Sequence, residues 1–212
     1  MAFDIEQLSL ALNHSPLFQP LTVHLEPGQI GTIMGPSGSG KSTLLAAISG
    51  TLPPVFELGG DIRLNGQSLL SVPIEHRQVG ILFQDDLLFP HLNVYQNLVF
   101  ALPGGLNRAQ KRERIASALA SAGLADFERR DVATLSGGQR ARISLLRTLL
   151  AEPRLILLDE PFSKLDQHLR GQFRDWVFSR IIELGIPALM VTHDPADRPV
   201  QGRLITLETS DA

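Results

Sequence analysis

No cysteine occurs in the 212 residues. Disulfides and thiolate metal sites are therefore excluded, while the redox compartment stays open. An excess of basic charge is missing too: Lys and Arg number 19 against 22 Asp and Glu, a formal net charge of -3. Tracking a phosphate backbone over a long surface needs clustered positive charge, so nucleic acid is not an expected partner. The N-terminus, Met1-Ala2-Phe3-Asp4-Ile5-Glu6, is acidic and lacks a basic region followed by a long apolar stretch, so no secretory signal is expected there. A membrane span is absent as well. Residues 87–107 carry no Asp, Glu, Lys or Arg, but Pro90, His91, Asn93, Gln96, Asn97 and Pro103 interrupt them. A spanning helix needs about 20 mostly apolar residues. A soluble protein is expected, one that meets a membrane only through a partner. Internal repeats and low-complexity tracts are also missing.

What is present suits one α/β domain with an inserted lobe. Hydrophobic residues make up 43% of the chain, enough for a proper core. Short strands are expected over 3–12, 21–25 and 29–34, with Pro27-Gly28 as a turn. A helix over 42–49 stops at Gly50. Further strands are read at 61–64 and 79–83. Residues 94–150 read as mostly helical: Asn107 can cap a segment over 108–122 that ends at Gly123, and a second strong helix runs over 136–150. Its apolar Ile143, Leu146, Leu149 and Leu150 share one side. Strand, helix and strand then follow at 155–158, 165–184 and 187–191, the helix carrying Leu169, Phe173, Trp176, Val177 and Ile181 at helical spacing. Strands and helices alternating on both sides of a helical block imply a parallel α/β core with a helical insert.

Gly35-Pro36-Ser37-Gly38-Ser39-Gly40-Lys41-Ser42-Thr43 follows a strand and opens a helix, the context that the phosphate-loop pattern GxxxxGK[ST] requires. Its glycines let several backbone N–H groups face one anion, and the helix N-terminus adds partial positive charge. Lys41 can then neutralise the β- and γ-phosphates, and the Ser42 hydroxyl can ligate Mg²⁺. A loop that merely connects strand to helix would not need Lys-Ser at its end. This motif by itself says that a nucleoside triphosphate binds.

A second anion site of the same kind lies further on. Leu135-Ser136-Gly137-Gly138-Gln139 also starts a helix, with Ser136 and the N–H groups of Gly137 and Gly138 at its N-terminus. With this pentapeptide the chain resembles the ABC ATPase family, whose signature it is; a plain Ser-Gly-Gly helix cap would explain the helix start alone. The resemblance runs from about residue 4 to 207. It implies a P-loop core with a parallel sheet, an N-terminal antiparallel β subdomain and an inserted helical subdomain. Residues 1–84 and 151–212 would form the core and 85–150 the helical part.

The resemblance also assigns roles. Asp159, ending the apolar run Leu155-Ile156-Leu157-Leu158, would hold the Mg²⁺ shell, and Glu160 would face the attacking water as general base. Gln84 matches a glutamine that reaches Mg²⁺ and the water, and His193 a histidine on the γ-phosphate. Asp166 matches a loop that crosses the dimer interface. ATP and Mg²⁺ are the implied cofactors. The implied assembly is a head-to-tail homodimer in which Ser136, Gly137, Gly138 and Gln139 of one copy complete the Lys41 site of the other. Too few residues separate Lys41 from Ser136 for the long coiled coils of chromosome-maintenance relatives.

Residues 85–94, Asp85-Asp86-Leu87-Leu88-Phe89-Pro90-His91-Leu92-Asn93-Val94, resemble the corresponding stretch of bacterial importer ATPases. Some of these side chains are expected in the core and others in a groove that receives a permease helix. The expected protein is an importer's ATPase at the cytoplasmic face of the inner membrane, served by permease subunits and a solute-binding protein. An exporter or lipoprotein-release ATPase and a non-transport switch protein are the competing readings. The chain stops soon after His193 and so looks like the short importer subunits, such as those for thiamine. One departure stands out. The family has an aromatic residue that stacks on adenine where this chain has Leu12, and Phe18 is nearby. Weak discrimination between ATP and GTP is the expectation.

Overall fold

The structure, a computed structural model, describes residues 1–165 and 167–207, with the side chains of residues 168 and 169 outside that description. Asp166 and the Leu169 side chain thus lie outside the described residues. In chain order the elements are β1 (Phe3–Leu12), β2 (Ser15–Pro16), β3 (Leu21–Leu25), β4 (Ile30–Met34), α1 (Lys41–Ser49), β5 (Phe56–Leu64), β6 (Gln67–Ser68), β7 (Val79–Leu82), α2 (Val94–Val99), α3 (Arg108–Ser121), α4 (Gly137–Leu150), β8 (Leu155–Asp159), α5 (Gln167–Leu184), β9 (Ala188–Val191) and β10 (Arg203–Thr206).

The strands form two sheets. One is parallel throughout, in the order β10-β4-β9-β8-β7. Its central strands β4, β9 and β8 are buried on both faces, which is why they read as unbroken apolar runs. Side chains alternate between two cores. Leu155, Leu157, Leu189 and Val191 point to the side of Leu44, Leu45 and Ile48 of α1. Ile156, Leu158, Ala188 and Met190 point to the side of Phe173, Val177 and Ile181 of α5 and Leu145 of α4. The other sheet is antiparallel, in the order β2-β1-β5-β6 with β3 also on β1. It packs Phe3, Ile5, Leu8 and Leu10 into the α1-side core.

Residues 94–150 hold an apolar cluster of their own: Val94, Leu98, Ile115, Leu119, Val132, Ile143 and Leu146. Three helices lie in this block, each with an N-cap whose side chain accepts from the N3 backbone while the N3 glutamine reaches back: Asn93 with Gln96, Asn107 with Gln110, and Ser136 with Gln139. Gly123 follows α3 at φ 68°, the turn-off expected of it.

The largest departure from the sequence-based boundaries is β5, which begins at Phe56 rather than at 61. Gly59-Gly60 has the look of a turn, yet here it stays within the strand, opposite a bulge of β1 at Gln7-Leu8. Gly60 has φ 85°, and a β-carbon on it would lie 2.4 Å from the Gln7 carbonyl. The register of β1 on β5 shifts between Glu6 and Ser9 at the same place. The extra pairing brings Phe56 opposite Leu12.

Candidate active site

The parallel sheet aims the ends of β4, β8 and β9 at one edge. After β4 comes the phosphate loop, after β8 comes Glu160, and after β9 comes His193. This is the crevice beyond the carboxyl ends of parallel strands where α/β folds bind ligands. A cavity of about 510 Å³ lies there, lined by Gly35, Ser37, Gly38, Gly40, Lys41, Ser42 and Thr43, by Glu160 and His193, and by Leu12, Leu17 and Phe56. Pro36 and Ser39 belong to the same loop. The Ser39 side chain is buried, and Ser39 N–H donates to the Pro36 carbonyl at 3.3 Å.

The loop closes onto α1 at Gly40, whose φ of 86° suits glycine; a β-carbon there would meet the Phe18 ring at 3.1 Å and Leu17 Cβ at 3.3 Å. Lys41 Nζ donates to the carbonyls of Gly35 at 2.9 Å and Pro36 at 2.7 Å. A cation is thereby fixed at the start of a helix whose first N–H groups have no intrahelical acceptor, a combination made for phosphate oxygens.

Glu160 leaves β8 in the left-handed region, φ 45°. Its N–H donates to the Val191 carbonyl at 2.9 Å, and its carbonyl accepts from Ser163 Oγ at 2.8 Å. Its carboxylate Oε1 lies 3.1 Å from His193 Nδ1. Asp159 is half-buried beside it. Desolvation, and then the charge of Glu160, push the Asp159 carboxyl above the usual range, against the pull of Lys41. The described residues hold no group of three or more His, Cys, Asp or Glu fit to cage a metal. Ser42 on the cavity and Asp159 within reach of the Lys41 charge fit a cation of the Mg²⁺ kind, which takes one or two protein oxygens and fills its shell with water and substrate phosphate. Ser42 and Asp159 are the protein oxygens near the loop, and a cation would offset the charge crowding at Asp159.

The remaining sequence candidates lie elsewhere. Gln84 is exposed and lines a second cavity of about 230 Å³ with Asp85, Asp86, Gly137, Arg140 and Lys164. Ser136 Oγ accepts from Gln139 N–H at 3.3 Å, and Gln139 Oε1 accepts from Ser136 N–H at 3.0 Å. The signature is thus a helix cap in this chain, and the first-turn N–H groups of Gly137 and Gly138 have no intrahelical acceptor. Neither Ser136 nor Gly137, Gly138 or Gln139 lines the Lys41 cavity.

Sequence reasoning missed several residues here. Leu17 and Phe56 line the cavity. Arg170 holds the His193 loop: it donates to both carboxylate oxygens of Asp197, at 2.8 and 2.6 Å, and to Asp194 at 2.9 Å. Thr192 Oγ1 donates to the same Asp197, which is almost fully buried. No short motif joins Arg170 to Asp197; only the packing of α5 against the β9 loop does. Phe56 could have been sought as the partner of Leu12 had the bulge opposite Gly60 been foreseen.

Comparison with known proteins agrees with this geometry. The ABC transporter family matches residues 18–163. An uncharacterized ABC transporter ATP-binding protein of Escherichia coli (strain K12), YnjD, is 46% identical over 203 residues, covering 96% of this chain and 94% of that protein. The Fe(3+) ions import ATP-binding protein FbpC of Haemophilus influenzae (strain 86-028NP) is 35% identical over 216 residues, covering 97% of this chain but 62% of FbpC. Among solved structures, the dimeric post-hydrolysis state of the ATP-binding cassette MJ0796 bound to ADP and Pi superposes with a TM-score of 0.79. It is 25% identical, with 97% of this chain and 94% of that one covered.

Proposed function

This chain belongs to the ABC transporter family of ATP-binding proteins and is an ATPase; we propose that it powers import through a separate permease, as one of two copies that share their ATP sites. The observation that carries the catalytic reading is the Glu160–His193 pair, 3.1 Å apart and facing the Lys41 loop across one cavity. Phosphoryl transfer needs positioning and charge stabilisation more than covalent chemistry. Lys41 and the loop N–H groups hold the triphosphate. Glu160 orients a water in line with the γ-phosphorus and takes its proton. His193, anchored through its loop by Arg170, keeps the carboxylate aimed and contacts the γ-phosphate. Ser42 and Asp159 would hold Mg²⁺, which would neutralise charge on the phosphate oxygens; Gln84, on the neighbouring cavity, would have to move to reach it.

The signature N–H groups stand away from this cavity within one chain, so a second copy must supply them, head to tail. That the MJ0796 cassette is dimeric supports an assembly of two copies. Import is favoured by the likeness to FbpC, although the chain spans about three-fifths of that relative's length. A solute-binding protein would complete such a system. The docking face for the permease is the uncharged stretch 87–107. Val94, Asn97 and Leu98 are buried, whereas Leu87, Phe89 and Phe100 are exposed, with the Phe89 and Phe100 rings 5.3 Å apart. No helix among the described residues is long and apolar enough to cross a membrane.

Glu160→Gln keeps the shape of the side chain and removes the base. ATP turnover should fall about 10²–10⁴-fold with ATP binding retained. Phosphate release and equilibrium binding on the same preparations measure both. Turnover at the parent rate would remove Glu160 from the mechanism.

A further inference from the structure

We propose that Phe56 is the platform on which the nucleotide base stacks, and that the site takes ATP and GTP alike because stacking is all that reads the base. The inference rests on the reading of the cavity as a nucleoside triphosphate site. The cavity has two chemically distinct ends. The phosphate loop, Glu160 and His193 make one of them polar; Leu12, Leu17 and Phe56 make the other apolar. A nucleotide whose phosphates lie on the loop must turn its base to the apolar end. Phe56 is the one phenyl ring among the described lining residues. It stands opposite Leu12 in the β1·β5 ladder, so both side chains belong to one face of the sheet. The chain enters Phe56 through Pro53-Pro54, which narrows its backbone freedom, and Phe56 N–H donates to the Pro53 carbonyl at 3.1 Å. The backbone that carries the ring is thus restrained before any ligand arrives.

The other phenylalanine near the loop is not available. Phe18 is 1% exposed and backs onto Gly40 from the core side. Charged neighbours along the chain do not read the base either. His14 and Glu57 pair with each other at 2.7 Å and do not line the cavity. An aromatic face binds any purine, whereas discrimination between purines needs hydrogen-bonding groups on the base edge. No such side chain lines the apolar end.

The test is calorimetric binding of ATP, GTP and inorganic tripolyphosphate, each with Mg²⁺, to the full chain. Phe56→Ala should weaken ATP and GTP by roughly 5- to 150-fold, the range for losing one base–aromatic stack, and leave tripolyphosphate unchanged. Phe56→Trp should restore nucleotide affinity, and its added fluorescence should respond to both nucleotides but not to tripolyphosphate. The inference is overturned if Phe56→Ala binds ATP as the parent does, or weakens all three ligands equally. It is overturned as well if the parent prefers ATP to GTP by about a hundredfold or more, since that needs a hydrogen-bonding contact to the base. A parent that binds tripolyphosphate as tightly as ATP removes the base platform and keeps the phosphate site. A parent that binds none of the three removes the nucleotide site itself.

Discussion

Glu160 sits at a φ that costs a residue with a β-carbon about 1–3 kcal/mol unless its surroundings hold it. Here Val191, Ser163 and His193 do so. The acidic end of the β8 run was legible in the sequence, because an apolar strand closing on two carboxylates is a distinctive pattern. The brace behind His193 was not. Arg170 and Asp197 are brought together by tertiary packing alone, and nothing local in either segment announces it. Asp197 is 2% exposed and Arg170 about a quarter exposed. Arg170→Ala should strand a buried carboxylate and cost about 3 kcal/mol, the low end for breaking a buried pair since Arg170 keeps some solvent contact. Denaturant unfolding measures this. ATP turnover should fall with it as the His193 loop loses its anchor, while Arg170→Lys should recover part of the stability and less of the turnover, because an ammonium cannot grip both oxygens of Asp197. Unchanged stability in Arg170→Ala would mean that Asp197 finds another partner.

Helix starts were the most readable elements, since Asn107 and Ser136 followed three residues later by glutamine encode the caps directly. Strand lengths were less so, as the Gly59-Gly60 pair hid the first half of β5. Nor was the end of α1 readable: buried Arg77 donates to carbonyls of its last turn, Ala47 and Ile48, at 3.0 and 2.9 Å from 30 and 29 residues away. Between β1 and β3 an exposed His24 meets two carboxylates, Asp4 at 2.5 Å and Glu26 at 2.9 Å. Only the imidazolium can donate to both. The Asp4 bond first and the Glu26 bond second hold the His24 pKa above its ordinary 6.5. A raised histidine stabilises the fold fully below its unfolded pKa, and that contribution is lost as pH rises through the folded value. The parent's thermal midpoint should therefore fall relative to that of His24→Ala as pH rises from 6.5 through the slightly alkaline range. Parallel melting curves at fixed salt check it; a constant difference between the two proteins would show that the cluster contributes nothing.

At the scale of the molecule, one chain carries two anion-binding helix starts that do not share a cavity. Lys41 faces Glu160 and His193, whereas Gly137 faces Gln84 and Asp86. Both anion-binding motifs were legible in the sequence; that they line different cavities is seen only in the fold. Where the lobes stand relative to a second copy could not be read from either segment. The measurement that bears most directly on the shared site is complementation. Lys41→Ala and Ser136→Arg chains should each release phosphate from ATP far below the parent rate. Mixed in equal amounts, they should recover up to about a quarter of it. Half of randomly formed two-fold dimers are mixed, and each such dimer has one site with both an intact Lys41 and an intact Ser136. A mixture as inactive as its components, or a Ser136→Arg chain as active alone as the parent, would contradict the two-chain site.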